Sequence, residues 1–130
     1  MANDQRGVSL SAMFSVIVVA LLLMAGLVVD GGAQAEASRR AESAASAAAR
    51  AAADETATAR LAGRPIDNGA AIAAAQRVLG EAEVSGTVSL AGGRVRVSTR
   101  AEADTVFLSL IGISKLAATG SAEAELVAND

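Results

Sequence analysis

From Val8 to Val29 the chain reads VSLSAMFSVIVVALLLMAGLVV, without one charged residue. A helix of about 22 residues rises about 33 Å, and the hydrocarbon core of a bilayer is about 30 Å thick. Apolar side chains fall on every face of such a helix, so burying it inside a protein would take a covering layer on all sides. The chain has 130 residues in all, too few to build that cover. The run therefore predicts a single membrane-crossing helix, closed by Arg6 on one side and Asp30 on the other. It divides the chain into a short leader-like segment (1–7), a transmembrane helix (8–29), an alanine-rich stalk helix (30–65) and a small α+β domain (66–130).

A cleaved secretory signal is the competing reading. Ala33-Gln34-Ala35 fits a small-x-small cleavage pattern, and a cut after Ala35 would release a secreted, soluble binding module. The apolar run is longer than the roughly 7–15 residues of a signal core, and the preceding MANDQR is poor in positive charge. Both points favour retention. Arg6 lies before the helix and Arg39 and Arg40 after it, so the positive-inside rule does not fix the orientation. Ser11 and Ser15 form a small-xxx-small pair at which another subunit's helix can approach closely. The simpler reading makes them ordinary lipid-facing positions.

Asp30-Gly31-Gly32 reads most simply as a flexible exit from the membrane, with Asp30 marking the water boundary and the glycines weakening the helix. The other reading makes Asp30 a contact to a cationic group on a neighbouring subunit. From Ala33 to Ala62 about half the residues are alanine, the best helix former, and no proline intervenes before Pro65. Glu36 with Arg40 and Arg50 with Asp54 are spaced to pair along a helix face. The small side chains suit either close packing on a helix or sheet, or a solvated spacer. Gly63-Arg64-Pro65 ends this helix. Asp67 or Asn68 is placed to cap a second helix over about Gly69–Leu79, with Ile72, Ala75, Val78 and Leu79 on one face and Gly80 as its stop.

Beyond Gly80 the period changes to two. Val84, Gly86, Val88 and Leu90 alternate with Ser85, Thr87 and Ser89, and Ala91-Gly92-Gly93 is a turn signal. The return strand sets Val95, Val97 and Thr99 against Arg94, Arg96, Ser98 and Arg100, which predicts a hairpin with one apolar face. The arginine row reads as a solvated face that discourages sheet aggregation, or as a patch for an anion or partner. Asp104 to Gly112 holds the densest cluster of large apolar residues outside the membrane segment. Asp104 is placed to cap a short helix there that Gly112 ends, and a buried strand is the alternative. Phe107, with Leu110 and Ile111, is the expected core of the domain. A third strand is expected from about Lys115, with Ser121, Glu123 and Glu125 on one face and Gly120, Ala122, Ala124 and Leu126 on the other. The fold class is α+β: an N-terminal transmembrane helix continuing into an alanine-rich helix packed on a small three-stranded antiparallel sheet.

The composition speaks against catalysis. With no His and no Cys, the chain lacks the usual base near neutral pH and the usual strong nucleophile. Glu102 with Asp104, and Glu81 with Glu83, read as polar strand edges or caps rather than acid–base pairs. No metal-ligand or phosphate-loop spacing is present, so no cofactor, metal or small-molecule substrate is expected. A formal net charge of −3 argues against a nucleic-acid partner.

The order of these features resembles type IV pilin-like proteins: Arg6-Gly7, an apolar helix, an alanine-rich helix, then a small sheet. In detail it is similar to the TadE/TadG-like proteins of the tight-adherence (Flp) pilus machinery of bacteria. The resemblance is carried by Gly26-Leu27-Val28-Val29-Asp30-Gly31-Gly32, by Thr105 to Ile113, and by Ala122-Glu123-Ala124. It implies a cell-membrane protein with an extracytoplasmic C-terminal domain, and a role as minor pilin or assembly factor touching other pilus subunits. In pilin-like members a prepilin peptidase cuts after a glycine, and a Glu five residues on helps subunits join. Gly7 and Val8 are the corresponding processing site here, but the position five residues after Gly7 is Ala12. A Glu within the apolar run is costly unless a neighbouring subunit pairs with it. Its absence favours a helix that stays whole and anchored.

Overall fold

The structure, a computed structural model, describes residues 2–126; Met1 of the leader-like segment and 127–130 of the C-terminal domain lie outside it. Ala2–Leu61 form one helix of 60 residues, α1, about 90 Å long at 1.5 Å per residue. The helix runs without a break through Asp30-Gly31-Gly32, where a flexible exit was the simpler expectation. Two interior glycines cost about 1 kcal/mol each relative to alanine. Strong helix formers on both sides and the docking of Asp30, described below, offset that cost.

The two halves of α1 live in different surroundings. Every large apolar residue from Val8 to Val29 is exposed. From Ala37 onward one face is buried, at Ala37, Ala41, Ala44, Ala45, Ala48, Ala49, Ala52, Thr56 and Ala59. Steps of three and four residues keep these positions on one side of the helix. Of the two readings of the alanine stretch, the structure has the packed one: α1 lies against a second helix and against the sheet.

Helix α1 ends where Gly63 takes a left-handed φ of 66° and the Arg64 N–H bonds back to the Ala59 carbonyl at 2.9 Å. Helix α2, Asn68–Glu81, starts from Asp67, whose carboxylate accepts the Gly69 N–H at 2.8 Å. It passes through Gly80, the expected stop, and ends at Ala82. Ala71, Ala74, Ala75 and Leu79 are its buried face.

Strands β1 (Ser85–Ala91), β2 (Arg94–Asp104) and β3 (Lys115–Glu125) form an antiparallel sheet in the order β1-β2-β3. Gly92 and Gly93, with φ of 59° and 73°, make the β1–β2 turn. Positive φ at both central residues is what a tight hairpin turn of this hand demands. Along β2, burial alternates strictly: Val95, Val97, Thr99, Ala101 and Ala103 face α1, and the arginines face outward. The expected α+β arrangement, with its three-stranded sheet starting its last strand at Lys115, is the one found.

The core consists mainly of alanine and valine. Val95 and Val97 are fully buried among Ala45, Ala48, Ala49 and Ala52 of α1 and Ala75 and Leu79 of α2. Small side chains let backbones approach. A Cβ on Gly120 would lie 2.5 Å from the Ala41 carbonyl carbon and from the Glu42 nitrogen, so only glycine fits there. Beside this contact the buried Thr99 hydroxyl donates to the Ala41 carbonyl at 2.6 Å.

Phe107, Leu110 and Ile111 are not this core. Leu110 and Ile111 are 82% and 73% exposed, and Phe107 is 36% exposed. The alanine face of α1 already fills the inner side of the sheet, so the β2–β3 connection carries its apolar residues past the sheet's end instead. Asp104 does not cap the short helix either. It closes β2 opposite Lys115, and the cap comes from another element.

Candidate functional site

Residues 105–114, between β2 and β3, form a tip that reaches alongside the apolar half of α1. Within it Leu108–Ile111 make one 3-10 turn, ended by Gly112 at φ 89°. A turn of this kind opens with unpaired backbone N–H groups, and a carboxylate is the group best suited to accept them. That carboxylate is Asp30. Its Oδ1 accepts the Val106 N–H at 2.8 Å and lies 3.4 Å from the Phe107 nitrogen, and its Oδ2 accepts the Leu108 N–H at 2.7 Å. The residue is only 2% exposed. The Val106 N–H, joined by those of Leu108 and Phe107, holds the Asp30 carboxyl below the usual carboxylate range, against the opposing push of burial.

One turn before Asp30, at Gly26, the Phe107 ring lies flush on the helix. A Cβ on Gly26 would meet the ring's Cγ at 2.7 Å. Asp30 and Gly26 thus form a two-point seat, polar and apolar, that fixes the tip on α1. The cleft between them, of about 270 Å³, is lined by Leu23, Leu27, Leu108, Ile111 and Leu116 as well.

The remaining sequence-derived positions stand apart from this seat. Gly7, Val8, Ser11 and Ser15 are exposed positions within α1. Ser11 donates to the Gly7 carbonyl at 3.0 Å and Ser15 to the Ser11 carbonyl at 2.9 Å, so both hydroxyls are satisfied inside the helix. Ala33 and Ala35 are also helical, Ala33 half-buried and Ala35 exposed. Arg40 is not directed at Glu36, the pairing its spacing favoured; it donates to the Glu102 carbonyl at 3.2 Å. On the outer face of the sheet Arg94 pairs with Glu125 at 3.1 Å, Arg96 with Glu123, and Lys115 with Glu102 at 3.6 Å. These cross-strand carboxylates neutralise much of the arginine row. Among the described residues no three acidic, His or Cys side chains cluster as a metal site.

The Asp30 seat was absent from the sequence reading, although a signal existed. Asp30 is the single charge between Arg6 and Glu36. A charge beside so long an apolar run calls for a partner.

Residues 7–55 match the model of the family Tad, described as putative Flp pilus-assembly TadE/G-like. The likeness is to this segment, well under half of the chain. The match takes in the whole apolar run, the Asp30 seat and most of the alanine face. No curated protein and no solved structure matches the chain. A segment similar to that family and a helix long and apolar enough to cross a membrane fit a pilus-associated component.

Proposed function

We propose that this chain is a single-pass, non-enzymatic component of a bacterial Tad (Flp) pilus system, acting as a minor pilin or assembly factor. Val8–Val29 anchor it in the cell membrane, and the α+β domain stands on the extracytoplasmic side, where it meets other pilus subunits. The observation that carries this reading is the division of α1. One end presents apolar residues on every face, while the other gives a single alanine face to its own domain. In a rigid continuous helix the first end is built for lipid and the second for protein.

Release of a soluble module after Ala35 fits less well. Such a cut would remove Asp30 and Gly26 and leave the 105–114 tip without the carboxylate that satisfies its N–H groups. Processing after Gly7 would keep every tertiary contact described here.

The chain has no cysteine, so Ser121→Cys on the exposed face of β3 gives a clean topological probe. A membrane-impermeant maleimide is expected to label it on intact spheroplasts, and deletion of the gene is expected to abolish assembled pili. Labelling only after lysis contradicts the topology. Normal piliation in the deletion strain contradicts the role.

A further inference from the structure

The tip at 105–114 is anomalous for a water-facing loop. It has no charged residue from Thr105 to Ser114, and it exposes Val106, Leu110, Ile111 and Ile113 together. Contiguous apolar exposure of this kind marks a contact surface. We propose that the tip inserts into the bilayer that holds α1, as a second, shallow membrane contact beside the transmembrane helix. The inference rests on the anchored reading given above.

Three independent observations select lipid as the occupant. The first is depth. Phe107 sits on Gly26, one helical turn inside the apolar run from Asp30. Four residues of helix rise about 6 Å, and interfacial apolar elements lie about 5–10 Å into the headgroup–acyl boundary. The tip is therefore held at the level where the membrane segment of α1 begins, and its exposed side chains continue that apolar surface sideways.

The second is backbone satisfaction. Polar backbone groups entering lipid must find partners within the protein. The N–H groups of Val106 and Leu108 are taken by Asp30. Those of Thr105, Leu110, Gly112 and Ile113 bond to carbonyls within the tip at 3.0–3.1 Å. Two of the tip's three hydroxyls also turn inward, Thr105 to the Ile113 carbonyl and Ser109 to the Val106 carbonyl. A tip meant for water has no need of such closure.

The third is the boundary. The charged residues Asp104 and Lys115 are register partners where β2 ends and β3 begins, so charge returns at the point where the tip would leave the lipid. Two attachments at the same depth restrain the tilt of the domain relative to the membrane, which a lone helix does not.

The chain contains no Trp or Tyr, so a single introduced indole reports without background. Leu110→Trp and Ile111→Trp are placed at exposed positions, and Ala91→Trp at the opposite end of the sheet is the reference. Each full-length variant is reconstituted in phosphatidylcholine–phosphatidylglycerol vesicles with and without brominated acyl chains, and co-flotation is measured in parallel. The expected result is flotation of all three. Emission from the Leu110→Trp and Ile111→Trp variants shifts to the blue and is lost to bromine. Emission from the Ala91→Trp variant keeps its exposed-indole position and intensity. Flotation with a water-exposed, unquenched indole at both tip positions overturns the inference and leaves the anchor standing. A blue-shifted indole that bromine does not quench means that protein, a second copy of this chain, covers the tip, and also overturns it. Failure to float overturns both the inference and the anchored reading.

Discussion

The carboxylate of Asp30 accepts the backbone N–H of Leu108 at 2.7 Å, across 78 residues of sequence. With the Val106 contact it ties the middle of a long helix to the connection between two strands. Asp30→Ala is expected to expose the Val106 and Leu108 amides, read as loss of their protection from hydrogen exchange. Asp30→Asn retains an acceptor and is expected to keep part of it. The pH dependence has a definite sign. The folded-state carboxyl is held below its ordinary value, so its contribution to stability is present in full above the unfolded carboxylate pKa. It is lost as pH falls through the depressed folded value. Acid titration of the wild type should therefore show a destabilising step, below the ordinary carboxylate range, that is missing in Asp30→Asn.

Gly120 tests the close approach of β3 to α1. An added methyl would meet the Ala41 and Glu42 backbone at 2.5 Å, and neither partner is a flexible side chain. Gly120→Ala is expected to cost about 1–3 kcal/mol by denaturant unfolding, the usual range for overpacking. Gly80→Ala is the control, since a Cβ there meets nothing within 4 Å. It should be neutral or stabilising by up to about 1 kcal/mol.

Gly26 and Phe107 are expected to be coupled. Gly26→Ala drives a methyl into the Phe107 ring at 2.7 Å and should lift the tip from the helix. Phe107→Ala empties that space. In the double variant the clash is gone, so the penalty of Gly26→Ala should fall well below its value in the wild type. A coupling energy of about 0.5–3 kcal/mol is typical of side chains in direct contact.

Much of the scaffold was legible in the sequence because local rules decide it. The two-residue alternation around Val95, Val97 and Thr99 matches their burial along β2. Gly63-Arg64-Pro65 matches the end of α1, and Asp67 the start of α2. What was misread depends on distant partners. Phe107, Leu110 and Ile111 were expected inside because large apolar residues usually are, yet the alanine face of α1 fills that place. As core material alanine contributes close backbone approach rather than area. The Asp30 seat joins positions 76 residues apart, and no local pattern connects them. Only the isolation of one charge beside an apolar run pointed to it.

In the proposed function the apolar half of α1 remains attached to the domain and holds it in the membrane. Intact-mass measurement of the protein extracted from native membranes tests this most directly. The expected chain begins no later than Val8 and so retains Gly26 and Asp30. A mature chain beginning at Glu36 would contradict it.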